Sequence, residues 1–139
     1  MVHEWSDDYK IGVAKIDEQH YELFKMVTGL FAINESNVDE NLVKQTISYM
    51  VEYALKHFED EESVQVEFMY PGFENHKQQH EDFKSTIRVM AGLFEQGFSF
   101  GLFDSLRRVL NLWLKSHVSN SDKKIGDHIA KLKKSAKKK

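Results

Sequence analysis

Apolar residues in this chain recur at three- and four-residue spacing through four separate stretches, and one Pro and seven Gly are all that could break helices across 139 residues. That spacing marks amphipathic helices, whereas a half-buried strand would alternate at every second residue. The stripes run Ile16, His20, Leu23, Phe24, Val27, Leu30, Phe31; then Val43, Ile47, Met50, Val51, Ala54, His57, Phe58, Glu61; then His76, His80, Phe83, Ile87, Met90, Ala91, Phe94; and finally Phe103, Leu106, Leu110, Trp113, His117. Turn formers from Asn34 to Asp39, the Pro71-Gly72 pair and the Gln96-Gly97 pair separate them. The pattern predicts an all-α fold, an up-down-up-down four-helix bundle with short connections. Residues 1–15 show no sustained period and are expected to form an extended N-terminal arm, with Trp5 and Tyr9 packing back on the bundle. Asp17 is placed to cap or charge the start of the first helix, and a short C-terminal helix is expected over Asp122 to Lys133.

The length suits a single domain over residues 1–139, since single cores cluster near ~100–150 residues. With 41% hydrophobic and 12% aromatic residues the chain can fill a core. No apolar stretch approaches the ~20 residues needed to cross a bilayer, and the N-terminus lacks the basic and apolar regions of a signal peptide, so a cytoplasmic location is expected. The absence of Cys excludes disulfides, thiolate metal sites and cysteine nucleophiles, leaving His and carboxylates as the available metal ligands. Residues 131–139 hold six Lys and no acid, so residues 1–130 carry 13 basic against 22 acidic residues. An acidic body of this kind argues against a nucleic-acid partner, whose binding rests on neutralising phosphates. The Lys-rich tail, 131–139, reads as a solvated end.

The stripes contain an anomaly: His20, His57, Glu61, His76, His80 and His117 fall on the apolar faces. Burying one polar group without a partner costs about 1–3 kcal/mol, and an unpaired carboxylate costs more. Six of them would consume much of a typical stability of ~5–15 kcal/mol unless something inside the bundle satisfies them. His57 and Glu61 are four apart, as are His76 and His80, which places each pair on one helix face with Cβ atoms about 5–6 Å apart. His117 and Asp122 are five apart, so the carboxylate should lie beyond one full turn, at or just past the end of the fourth helix. Imidazole suits iron, copper, zinc and nickel, and carboxylates can bridge two ions. Five His and two carboxylates are too many for one ion and suitable for two.

These residues resemble the haemerythrin family, most closely its bacterial single-domain members, over about residues 5–130. Trp5, Tyr9, Gly12-Val13, Ile16-Asp17-Glu18-Gln19-His20 and Leu23 are similar to the family's arm and first-helix signature. His57-Phe58-Glu59-Asp60-Glu61-Glu62 resembles its H-F-x-x-E-E motif, followed by Tyr70-Pro71, His76-x-x-x-His80 and Phe83. Trp113-x-x-x-His117-x-x-x-x-Asp122, with Lys123-Lys124-Ile125-Gly126 after it, resembles the closing motif. The resemblance implies a non-haem di-iron centre that binds dioxygen reversibly. It implies that His20 and His57 hold one iron, that His76, His80 and His117 hold the other, and that Glu61 and Asp122 bridge them together with an oxo or hydroxo group. Gln65 stands where the family often has Met, which predicts a more polar pocket wall there or a side chain turned outward.

With three shared ligands on each iron, His76, His80 and His117 saturate one six-coordinate ion, and His20 and His57 leave the other one ligand short. That open position is the expected oxygen site, with apolar walls from Leu23, Phe24 and Leu114, each within one turn of a ligand. The resulting expectation is a binding protein for oxygen storage, buffering or delivery and not an enzyme, with dioxygen as ligand and an unidentified protein as a conceivable recipient. Two alternatives differ in class: sensing of oxygen, redox state or nitric oxide through a separate partner, and a di-iron oxidase or peroxidase. The ferritin-like enzymes carry Glu-x-x-His on two helices, and this chain has no Glu-x-x-His. A zinc hydrolase would need an open cleft, and inward-facing ligands seal this site inside the bundle. Oligomeric state is left open.

Overall fold

The computed structural model of the chain describes residues 5–137, so His3 and the last two residues of the Lys-rich tail lie outside it. The described residues contain no strand, and their α-helices are α1 (Ala14–Leu30), α2 (Glu40–Glu67), α3 (Phe73–Gln96), α4 (Phe100–Ser116) and α5 (Lys123–Lys137). Asp39 and Ser99 cap α2 and α4, their side chains accepting from the amides of Leu42 and Leu102. Gly97, at φ 159°, ends α3. Neighbouring helices run antiparallel. Leu30 meets Arg107 near one end of the α1–α4 pair and His20 meets Asp122 near the other, while Gln79 meets Ser121 and Phe83 stacks on Trp113 across α3 and α4. No helix is long and apolar enough to cross a membrane among the described residues.

Two expectations about the ends of the chain need correction. The arm is not wholly extended: Asp7–Tyr9 forms a 3-10 turn, with the Ser6 hydroxyl accepting from the Asp8 amide, and α1 begins already at Ala14. Trp5 and Tyr9 do pack back, edge-on and stacked against Phe24 respectively. Asp17 charges the first turn of α1 as expected but does not cap it, the N-cap position being held by Val13. Its carboxylate accepts from the amides of Ile11 (2.7 Å) and Gly12 (3.2 Å) and ties the arm to the first helical turn. The C-terminal helix is also longer than expected, running on to Lys137 instead of ending at Lys133, and α4 leads into it without a break. A π-helical segment, His117–Asp122, joins α4 to α5, and Ser116 and Lys123 on either side keep right-handed helical backbone.

The apolar core lies in two parts, with the anomalous polar residues between them. The larger part holds Leu23, Phe24, Val27, Leu30, Phe58, Leu110, Leu114 and Val118. The smaller joins Ile11 of the arm and Ile16 of α1 to Ile125 and Ile129 of α5, with Val64, Phe68 and Tyr70 against it. Gly126 allows this closure, since a Cβ there would stand 2.5 Å from the Ile11 carbonyl oxygen. At the far end of the bundle, Arg107 satisfies the end of α1 by donating to the carbonyls of Leu30 (2.9 Å) and Ile33 (2.6 Å).

Candidate metal centre

Six consecutive residues decide how the last helix contributes to the site. An α-helix would rotate Asp122 well off the face that carries His117, because five residues overshoot a 3.6-residue turn. The π-helical segment places residues five apart above one another. Asp122 Oδ1 therefore lies 3.0 Å from His117 Nε2, inside the bundle and fully buried.

The structure brings all seven sequence-predicted polar residues together, each buried: His20 on α1, His57 and Glu61 on α2, His76 and His80 on α3, and His117 and Asp122 on the π-helical segment. Their ligand atoms form two overlapping groups that could each hold a metal ion, one of Glu61, His76, His80, His117 and Asp122, the other of His20, His57, Glu61 and Asp122. Both carboxylates divide their oxygens between the groups. Glu61 Oε2 faces His20 (3.2 Å) and His57 (3.1 Å), and its Oε1 faces His76 (2.7 Å) and His80 (3.2 Å). Asp122 Oδ2 faces His20 (3.0 Å), and its Oδ1 faces His76 (2.9 Å) and His117 (3.0 Å).

A cation belongs between these atoms on chemical grounds. His57 Nδ1 lies 2.7 Å from Gln19 Oε1, and the Gln19 amide nitrogen donates to Asp60 Oδ2 at 2.7 Å, which orients the amide and makes Nδ1 the donor. Burial pushes the His57 pKa down despite the charge on Glu61, so the ring is neutral and its Nε2 carries a lone pair aimed at a carboxylate oxygen. His57 Nε2 and Glu61 Oε2 thus stand 3.1 Å apart, two electron-rich atoms converging on one point. His80 is oriented from behind in the same way: its Nδ1 donates to Glu62 Oε2 (2.9 Å), and its Nε2 points into the cluster, 3.1 Å from His117 Nε2. Asp122 accepts no aligned hydrogen bond at either oxygen, although imidazole nitrogens stand close. Such convergence of lone pairs on shared points is what a metal site requires.

Electrostatics in the metal-free cluster follow from the two carboxylates. Burial alone would raise Glu61 and Asp122, and the imidazoles around them outweigh it and hold both well below the usual carboxylate range. Burial would likewise lower His20 and His76, yet Asp122 and Glu61 hold them up, at about 10 and about 9. His117 is raised against burial by the same two carboxylates. In the metal-free cluster two buried negative charges are thus balanced by the raised imidazoles.

Aromatic rings fix the imidazoles from behind, with Phe58 stacked on His80 (centroids 4.0 Å apart) and Trp113 on His117 (4.3 Å). A cavity of about 120 Å³ reaches His57, His117 and Asp122 and is walled by Leu23, Val27, Met50, Leu110 and Leu114 among others. Phe24 does not line it, contrary to expectation, because its ring is turned to stack on Tyr9. Gln65 is turned inward with no exposed surface. His128 stands apart from the cluster and donates to the Phe68 carbonyl at 2.8 Å. Sequence reasoning missed Gln19 and Glu62 as partners of ligand rings. Each is the chain neighbour of a cluster residue, His20 and Glu61, and that adjacency inside the two motifs was the available signal.

Residues 11–129 match the profile of the Hemerythrin HHE cation binding domain. The chain is 30% identical to a bacteriohemerythrin of Stenotrophomonas maltophilia over 125 residues, covering 90% of this chain and 80% of that protein. It is 26% identical to a myohemerythrin of Theromyzon tessulatum (86% and 88% covered) and 26% identical to a bacteriohemerythrin of Clostridium acetobutylicum (88% and 98% covered). No solved structure matches the chain. A helical bundle enclosing a buried His and carboxylate cluster, matched by this profile over most of its length, belongs to the haemerythrin family.

Proposed function

We propose that the seven side chains hold two iron ions and that the chain binds dioxygen reversibly there, as a store, buffer or carrier and not as an enzyme. The observation that carries this reading is the division of the Glu61 and Asp122 oxygens between two sets of imidazoles. His76, His80 and His117 would hold one ion, His20 and His57 the other, with both carboxylates shared. When bound, the ferrous pair supplies the electrons that a dioxygen ligand accepts and returns. The protein's own part is to orient the imidazoles through Gln19 and Glu62, to hold the carboxylates ionised, and to keep water out. With two imidazoles against three, the ion held by His20 and His57 would be the less fully ligated and so the one able to take a further ligand. The cavity that reaches His57 is apolar and about 120 Å³ in volume, ample room for a diatomic gas.

Anaerobic reconstitution with ferrous iron tests the reading by elemental analysis. Two irons per chain are expected; one metal per chain, or zinc retained in preference to iron when both are offered, contradicts it. Leu114 is 6% exposed and lines the cavity three residues before His117. Replacing it with Asn should admit water and speed oxidation to the ferric state with iron content unchanged. An unchanged rate in stopped-flow or absorbance decay measurements would remove that role from Leu114.

A further inference from the structure

Gln65 lies one helical turn beyond Glu61 on the same face of α2 and has no exposed surface. Neither its amide nitrogen nor its carbonyl oxygen has a hydrogen-bond partner. An orphaned buried amide costs about 1–3 kcal/mol, a penalty that an apolar side chain of the same length would avoid. Among the described residues, the other buried side-chain atoms in this condition are Nδ1 of His20, Nδ1 of His76 and the two oxygens of Asp122. All of those belong to the cluster.

Two other imidazoles show what the missing bonds look like. His57 Nδ1 donates to Gln19 at 2.7 Å and His80 Nδ1 to Glu62 at 2.9 Å. A metal on Nε2 fixes the ring proton on Nδ1 and leaves an N–H that needs an acceptor. His20 and His76 have none, and the Gln65 carbonyl is a buried acceptor with no donor. Side chains on a helix lean toward its N-terminus. Because α2 runs opposite to α1 and α3, Gln65 leans back toward the level of Glu61 while His20 and His76 lean toward it.

We propose that Gln65 is a positioning residue for the metal centre, its carbonyl accepting the Nδ1–H that His20 or His76 keeps when a metal takes the place of the proton on Nε2 and sets the ring. This rests on the metal reading above and extends it: the amide is costly in the metal-free protein and is satisfied when the ions are in place. The test compares wild type, Gln65→Met and Gln65→Glu by thermal melting with and without ferrous iron under anaerobic conditions, and by competition for iron with a chromogenic chelator. Metal-free Gln65→Met should melt at or above wild type, while its iron affinity falls about 10- to 100-fold, the usual effect of losing a bond that orients a ligand. Gln65→Glu should recover affinity to within about tenfold of wild type, since a carboxylate accepts the same N–H. On zinc-loaded protein with 15N-labelled histidine, the Nδ1–H resonance of either His20 or His76 should move in Gln65→Met, which tells the two apart. Equal shifts of the metal-free and loaded melting points, with unchanged affinity and unmoved resonances, would overturn the proposal and leave Gln65 a packing residue. Failure of wild type to bind iron would remove the metal reading as well, so the two failures are distinguishable.

Discussion

Glu61→Ala protein should purify with little or no iron and melt about 10–20 °C below iron-loaded wild type. Glu61 belongs to both ligand groups, so its loss would take an oxygen from each candidate ion site at once. A ligand that binds only the folded state stabilises by about 4 kcal/mol when its free concentration is a thousandfold above Kd. For a domain of this size each kcal/mol moves the melting point by about 3–5 °C. Removing iron from wild type with a chelator should reproduce most of that fall. His128→Ala is the control, because His128 serves the Phe68 carbonyl and not the cluster. It should lose some stability and keep its iron. Equal iron in the two variants would mean that the site is elsewhere.

Metal uptake near neutral pH should release protons, about two per chain from His20 and His76 together and a further share from His117, which the same carboxylates raise. Their metal-free pKa values, about 10 and about 9, keep both rings protonated at pH 7, and a metal must take the place of those protons. Apparent iron affinity should therefore rise from pH 6 to pH 9. The metal-free protein has its own dependence. The raised imidazoles contribute stability that is complete below the ordinary histidine pKa of ~6.5 and is lost as pH rises through 9–10. Glu61 and Asp122, held low, contribute stability that is present above ~4 and lost as pH falls; His57, pushed down, adds a further loss on the acid side. Metal-free protein should thus be most stable near pH 5–6.5 and weaken toward pH 9, where loaded protein holds its stability. Titration calorimetry in buffers of different ionisation enthalpy counts the protons, and no buffer dependence would refute the charge balance between the carboxylates and the imidazoles.

The bundle and the five cluster residues that follow α1 in helical stripes were legible because periodicity alone placed His57, Glu61, His76, His80 and His117 on apolar faces, where polar groups are conspicuous. His20 was legible in the same way on α1. Asp122 was legible only through the closing motif of the family resemblance and not through periodicity, since the α-helical period puts it beyond the face of His117 and the π-helical segment that corrects this leaves no mark in hydrophobic spacing. Asp17 carried the composition of a cap but serves the arm, a contact that depends on where residues 11 and 12 fold back. The inward turn of Gln65 was equally hidden, because an amide gives no signal of its own in a pattern read from apolar residues. Phe24 sits at the right spacing for the cavity and was lost to it through its stacking on Tyr9, which lies outside any helical period.

An absorption spectrum taken through one cycle of oxygenation decides whether the centre binds dioxygen reversibly. Ferrous-loaded protein is exposed to air and then returned to an argon atmosphere with no reductant added. Reversible binding requires a visible charge-transfer band that grows in air, disappears under argon and returns in air at nearly the same intensity. A band that never forms, or one whose loss leaves ferric protein that no longer responds to oxygen, would refute reversible binding.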